Sequence, residues 1–246
     1  NQNTETYVAW CWKAGGAASS NSDGTITSQV SANQEAGFSI VTFTGTGSAG
    51  TIGHGLGKAP DVVITKRRSA AQAWFTHHKD AANGHYLRLN GSNTPGADTN
   101  VYPNNMSTTN TFAVGGDDGV NGNGSTYVSY CWTDIPGYSK FGVYTGNGNA
   151  NGTFVFTGFR PALVIFKSTS NTESWQIKDN KRVGHNDENH SLFANVGNTE
   201  YTTAQMDFLS NGFKLRNGGG GSNGGGETLI YLAWAEQPGT TPYDTQ

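Results

Sequence analysis

Six histidines, at positions 54, 77, 78, 85, 185 and 190, are the side chains best suited to proton transfer or metal ligation in this chain. His77 and His78 are adjacent in the run Trp74-Phe75-Thr76-His77-His78, which reads as a strand. Successive strand side chains leave opposite faces, so the two cannot share a metal. There is no His-x-x-x-His pair and no cysteine cluster, so the spacing supplies no zinc site. Asp117, Asp118, Asn121 and Asn123 crowd oxygen ligands into one short segment, a pattern that calcium uses. The same residue types are those that tolerate turn geometry, and a solvated hairpin loop is the expectation taken. Gly45-Thr46-Gly47-Ser48-Ala49-Gly50 has the spacing of a dinucleotide fingerprint but no helical pattern after it, so it reads as a turn. No Gly-x-Ser-x-Gly elbow or P-loop occurs. Asp and Glu are scattered, and nothing singles out a pair for glycoside hydrolysis. No catalytic residue, metal site or cofactor is predicted.

Aromatic residues are the better candidates for binding. Trp74 and Trp175 occupy corresponding places, each after a polar loop. A tryptophan on a sandwich rim stacks on a sugar face; one in the core packs across two sheets. His77, His78, Lys79 and Asp80 follow the first, and Gln176, Lys178 and Asp179 follow the second. Segments that diverge between corresponding positions tolerate change and are where specificity is placed. Trp74, His77, His78 and Trp175 are the candidate carbohydrate-binding set, although core packing across the two sheets is the favoured reading of both tryptophans because the position is kept in both copies.

The elements that must carry these residues are written twice. Phe43-Thr44-Gly45-Thr46-Gly47 returns as Tyr144-Thr145-Gly146-Asn147-Gly148, and Ala59-Pro60-Asp61-Val62-Val63-Ile64 as Arg160-Pro161-Ala162-Leu163-Val164-Ile165. Trp74 matches Trp175, and Phe112 matches Phe213, at the same offset. A β-rich unit has been duplicated. A third pattern, Tyr7-Val8-Ala9-Trp10-Cys11-Trp12, matches Tyr127-Val128-Ser129-Tyr130-Cys131-Trp132 and, more loosely, Tyr231-Leu232-Ala233-Trp234-Ala235-Glu236. Nearly every position is apolar or aromatic, which predicts a strand covered on both faces. Residues 7–12 read as such a strand, closing an earlier repeat or pairing into the sheet of their own unit. Cys11 and Cys131 are expected to be buried thiols rather than a disulfide, because equivalent positions in two copies need not be neighbours.

Composition agrees. Apolar residues make up 34% of the chain and charged ones 13%, with 35 glycines, so short strands alternate with many turns and no long helical stripe appears. A net charge of −3 gives no basic surface for nucleic acid. No apolar run reaches membrane-spanning length, so no membrane insertion is expected. The expected fold is all-β: a duplicated antiparallel β-sandwich, jelly-roll or lectin-like, in two similar halves. The expected division is an N-terminal strand and Gly/Ser/Asn-rich loop over 1–36, repeat one over 37–135 and repeat two over 136–246. The connector 133–139 is too short for a free linker, so the halves should share one core or interface.

The motifs Ala36-Gly37-Phe38-Ser39-Ile40-Val41-Thr42-Phe43-Thr44-Gly45, Gly53-His54-Gly55-Leu56-Gly57-Lys58-Ala59-Pro60-Asp61 and Asp207-Phe208-Leu209-Ser210-Asn211-Gly212-Phe213-Lys214-Leu215-Arg216 carry a family resemblance. Gly137-Tyr138-Ser139-Lys140-Phe141-Gly142 and Thr157-Gly158-Phe159-Arg160-Pro161-Ala162 extend it along the chain. The chain resembles a repeat domain of tailed-phage tail-fibre-like virion structural proteins. The resemblance implies a non-enzymatic virion component: a sandwich module of a tail fibre or surface appendage, acting as scaffold and host-contact surface. Its implied partners are copies of itself, as a trimer or higher homo-oligomer, other virion proteins, and a host surface glycan. The alternatives are a lectin-like carbohydrate-binding module and, less favoured, a polysaccharide depolymerase.

Overall fold

A computed structural model describes residues 7–182, 186, 190–202 and 206–236. The first half contains β1 (Ser19–Asn21), β2 (Ser28–Asn33), β3 (Phe38–Thr44), β4 (Gly50–Gly53), β5 (Val62–Arg67), β6 (Trp74–His78), β7 (His85–Arg88), β8 (Gly96–Ala97), β9 (Thr111–Val114), the one-turn helix α1 (Asp118–Asn121) and β10 (Thr126–Trp132). The second contains β11 (Ser139–Thr145), β12 (Phe154–Phe156), β13 (Pro161–Ser168), β14 (Gln176–Asp179), β15 (Leu192–Phe193), β16 (Met206–Leu209), β17 (Gly212–Leu215) and β18 (Thr228–Ala235). All named strand pairs are antiparallel.

The strands form four layers. The large first sheet runs β1-β2-β3-β10-β5-β6-β7-β8, and the second runs β11-β18-β13-β14-β15. The pair β4-β9 covers the first sheet's outer face, and β12-β17-β16 covers the second's. The inner faces of the two large sheets pack on each other through a third apolar cluster. The molecule is thus two β-sandwiches fused back to back.

The duplication is visible strand by strand. The order β3-β10-β5-β6-β7 in one sheet is the order β11-β18-β13-β14-β15 in the other. Trp132 lies opposite Phe38, and Trp234 opposite Ser139; Cys131 lies opposite Val63, and Ala233 opposite Val164. This pairing aligns Trp234 with Trp132, two residues from the alignment the sequence suggested. Both segments are apolar on both faces, so a slip of two keeps every face apolar and the pattern alone cannot detect it.

The strands rich on both faces are central because both of their faces are covered. On β10, Tyr127 and Cys131 enter the first sandwich core, while Tyr130 and Trp132 face the other sandwich. On β18, Leu229, Tyr231 and Ala233 enter the second core, while Ile230, Leu232 and Trp234 face the interface. Period-two alternation splits each strand between two cores.

The repeated Thr-Gly-x-Gly motif follows from crowding. A Cβ at Gly45 would strike the Gly122 carbonyl, and one at Gly146 the Gly224 carbonyl. Gly47 and Gly148 have φ of +73° and +68°, in the left-handed region that glycine adopts freely. Gly47 N–H donates to Asn121 O at 2.7 Å and Gly148 N–H to Asn223 O at 2.8 Å, tying the same two loops together in each half.

Three expectations fail. Residues 7–12 are not a strand. The position between β3 and β5 that their pattern fits is already filled by β10, so the segment instead docks Trp10 and Trp12 on the interface cluster. Cys11 is accordingly exposed, whereas Cys131 is buried; both are free thiols. The loop read as a hairpin at 115–124 contains α1, capped by the Asp117 carboxylate accepting from Gly119 N–H at 2.7 Å.

Candidate functional site

The fused sheets meet around aromatic rings from the N-terminal segment and from strands of both sandwiches. Trp132 and Trp234, which hold equivalent positions on β10 and β18, converge there with Trp12 of the N-terminal segment. Their ring centroids lie 5.8 Å (Trp12–Trp132), 5.0 Å (Trp12–Trp234) and 6.2 Å (Trp132–Trp234) apart, all edge to face. Edge-to-face geometry sets the positive rim of one ring on the negative face of the next. Trp74 stacks on Tyr130 with centroids 6.4 Å apart.

These rings do not fill the space between the sheets. A pocket of about 330 Å³, partly open to solvent, remains, walled by Trp12, Phe38, Trp74, Tyr130, Trp132, Trp175 and Trp234 together with aliphatic side chains that include Ile40, Ile64, Leu89, Ile165 and Leu232. No charged residue lines it, and Thr76 is its one aliphatic hydroxyl. Trp132 and Trp234 are only 6% and 5% exposed, yet neither indole N–H has a hydrogen-bond partner. A buried donor left unpaired costs about 1–3 kcal/mol.

The four residues singled out for sugar binding do not form one platform. Trp175 is 1% exposed, and its indole N–H donates to Arg88 O at 2.9 Å across the interface. His78 is fully buried, with Nε2 at 3.3 Å from Tyr231 O and Nδ1 accepting from Asp80 N–H. His77 leaves the opposite face of β6, as its strand position requires, and packs edge-on against Tyr102. Trp74 is half-buried and forms part of the cavity wall. A sugar therefore cannot stack on Trp175 while the sandwiches stay joined. The two tryptophans do hold equivalent places: Trp74 N–H donates to Asn90 Oδ1 at 2.9 Å, and Trp175 N–H to Asn195 Oδ1 at 3.0 Å.

Three of the four residues considered for calcium are committed elsewhere. Asp117 caps α1, Asp118 is paired with Arg67, and Asn121 is a buried cross-link between loops. Asn121 Nδ2 donates to Ser48 O at 2.7 Å and Gly115 O at 2.8 Å, while Oδ1 accepts from Thr46 N–H at 2.9 Å. Asn223 repeats the arrangement in the second sandwich, donating to Asn149 O and Asn217 O and accepting from Asn147 N–H. Among the described residues no group of three His, Cys, Asp or Glu side chains converges as a metal site, and His185 lies outside them. His54 is also buried, its Nδ1 accepting from Leu56 N–H.

Sequence reasoning missed the junction carboxylates. Asp61 accepts from Asp134 N–H at 2.7 Å, and Asp134 accepts from Phe141 N–H at 2.6 Å, so the pair clamps the connector between the halves. Burial, and then the neighbouring Asp61 charge, push the Asp134 carboxyl up to about 6. Burial raises Asp61 as well. Burial lowers His77 and His78 to about 4.

The signs oppose. The histidines stay neutral in the folded state and take up protons on unfolding, so their contribution is full above pH 6.5 and lost as pH falls towards 4. Asp134 favours the folded state when protonated, so its contribution is present below pH 3.8 and lost as pH rises through about 6. Asp134→Asn keeps an acceptor for Phe141 N–H and removes the charge. Its Tm is expected to exceed that of the parent at pH 8, with the gain vanishing by pH 4. Calorimetry across that range checks this, and a gain that does not change with pH would refute it.

A family model described as a domain of unknown function (DUF7483) matches residues 1–238. No curated protein and no solved structure matches the chain.

Proposed function

We propose that this chain, which belongs to the DUF7483 family, is a non-catalytic structural module of a phage particle: a rigid double sandwich in a tail-fibre-like appendage, assembled as a homo-oligomer with other virion proteins. The observation that carries the reading is the back-to-back fusion of two equivalent sandwiches through one aromatic interface. A six-residue connector clamped by Asp61 and Asp134 leaves no room for independent motion of the halves, which suits a part that transmits shape and load. The phage setting follows from the sequence resemblance. The buried positions of Trp175 and His78 remove the stacking platform on which the lectin-like alternative was drawn.

Immunogold labelling of intact particles with antibodies to this chain is the test. Labelling confined to the tail or its fibres is the expected result. Absence of the chain from gradient-purified particles, by mass spectrometry, would refute the virion assignment. Release of reducing ends from host surface polysaccharide by the purified chain would replace the scaffold reading with an enzymatic one.

A further inference from the structure

We infer that β11 pairs with β11 of a second copy of this chain across a two-fold axis at Val143, joining the second sheets of the two copies into one. The inference deepens the assembly part of the reading above by naming a contact. It does not rest on the virion setting, so its failure would leave the labelling of particles untouched.

The two halves differ at one edge. In the first sandwich β2 covers the edge of β3 from Phe38 to Phe43. The loop between β1 and β2 also reaches β4, where Ile26 N–H donates to Thr51 O at 2.9 Å. The second sandwich has no counterpart of that segment: β11 ends its sheet, and β12 ends the smaller sheet packed on it. Val143, Phe154 and Phe156, on those two strands, are 47%, 43% and 59% exposed. An uncovered strand edge is a template for another strand.

The free backbone groups identify the occupant. Gly146 N–H donates to Glu227 O and Ala235 N–H to Tyr138 O, both at 2.8 Å. Antiparallel ladders alternate, so Lys140, Gly142 and Tyr144 bond to β18, while Phe141, Val143 and Thr145 turn their N–H and C=O groups outwards. Two of these six groups are already taken. Phe141 N–H donates to Asp134 Oδ1 at 2.6 Å, and Thr145 O accepts from Thr153 Oγ1 at 2.7 Å. The other four have no partner among the described residues. These four are self-complementary. With Val143 opposite itself, each Val143 N–H meets the Val143 carbonyl of the second copy, and each Thr145 N–H meets its Phe141 carbonyl. The groups this register leaves over, Phe141 N–H and Thr145 O, are the two satisfied within the chain. A shift of two residues either way makes half as many bonds. Lys140, the one charged residue of β11, lies opposite Gly146, so no like charges meet. The contact uses the same patch on both copies, as a two-fold interface must.

Sedimentation equilibrium of the full chain tests it. A contact this small falls short of a permanent dimer, so a monomer–dimer equilibrium with a dissociation constant on the order of 100 µM is expected. Val143→Lys sets two ammonium groups opposite each other at a position exposed in the single chain, and should weaken association about tenfold or more. Val143→Thr, which copies Thr42 of β3, should leave it within about threefold. Melting curves establish that both variants fold. Cross-linking with bismaleimidoethane reads the register, in a Cys11→Ser background because Cys11 is the exposed thiol. Val143→Cys should cross-link readily, since its two copies face each other across one strand spacing of about 5 Å. Thr145→Cys should not, since its two copies stand about 14 Å apart along the strands. Should Val143→Lys not fold, the cross-linking pair decides the matter. A monomer at about ten times the expected dissociation constant, association undiminished by Val143→Lys, or equal cross-linking at both positions would each overturn the contact.

Discussion

Trp175→Ala is expected to lower the stability of the whole molecule by about 3–5 kcal/mol, the range for deleting a buried large aromatic side chain. The indole is 1% exposed and touches both sandwiches, so its loss opens a void at the surface that fuses them. It also removes one of the two donors to the Arg88 carbonyl, which accepts the indole N–H at 2.9 Å and Gly91 N–H at 3.0 Å. Trp175→Phe separates the two contributions. It retains most of the apolar contact and loses the hydrogen bond, for an expected cost of about 1–2 kcal/mol beyond the small loss of volume. Trp74→Ala provides the contrast, because the half-buried Trp74 has less contact to lose. Guanidinium unfolding followed by circular dichroism measures all three. A Trp175→Ala variant within 1 kcal/mol of the parent would mean that the two sheets are not held together through this ring.

The second large effect belongs to the buried asparagines. Asn121→Ala leaves Thr46 N–H and Gly115 O without partners and takes one of two donors from Ser48 O, and Asn223→Ala leaves Asn147 N–H and Asn149 O without partners and takes a donor from Asn217 O. At roughly 1–3 kcal/mol for each stranded group, less what water recovers, each substitution should cost about 3 kcal/mol. Aspartate cannot substitute: its carboxylate would face two carbonyl oxygens with no proton to give them. The loss should be local at first. Amide exchange at Thr46 should accelerate in the Asn121 variant, and at Asn147 in the Asn223 variant. The two asparagines share no partner, so the double variant should add within about 0.5 kcal/mol. Wild-type exchange rates at both amides would show that the side chains are ornamental.

A related compensation was hidden in the repeat. Phe43 and Tyr127 stack at 5.2 Å in the first sandwich, and Tyr127 Oη donates to Asp118 O and accepts from Gly122 N–H. In the second sandwich the corresponding strands carry Tyr144 and Leu229, and Tyr144 Oη donates to Ser222 O at 2.7 Å. One tyrosine hydroxyl ties the strand to the glycine-rich loop in each half, but it comes from a different strand. Residue identity at either position alone gives no sign of this, because the exchange preserves the contact and not the sequence.

What the sequence determined by itself was the duplication and the all-β class. These are local or internally repeated properties: strand alternation is read over a few residues, and a repeat is read against itself. The Thr-Gly-x-Gly glycines belong here too, since their duplication marked a backbone constraint before the colliding carbonyls of Gly122 and Gly224 were visible. The tertiary structure decided which face of each doubly apolar strand met which core. Apolarity on both sides of β10 and β18 states that two partners exist and does not name them. That choice buried Trp175 and His78, left residues 7–12 without a strand position, and opened the aromatic cavity. It also turned Asn121 from a loop residue into a cross-link, because a hydrogen-bonding side chain declares its role only when its acceptors, 73 residues away at Ser48 in this case, are folded against it.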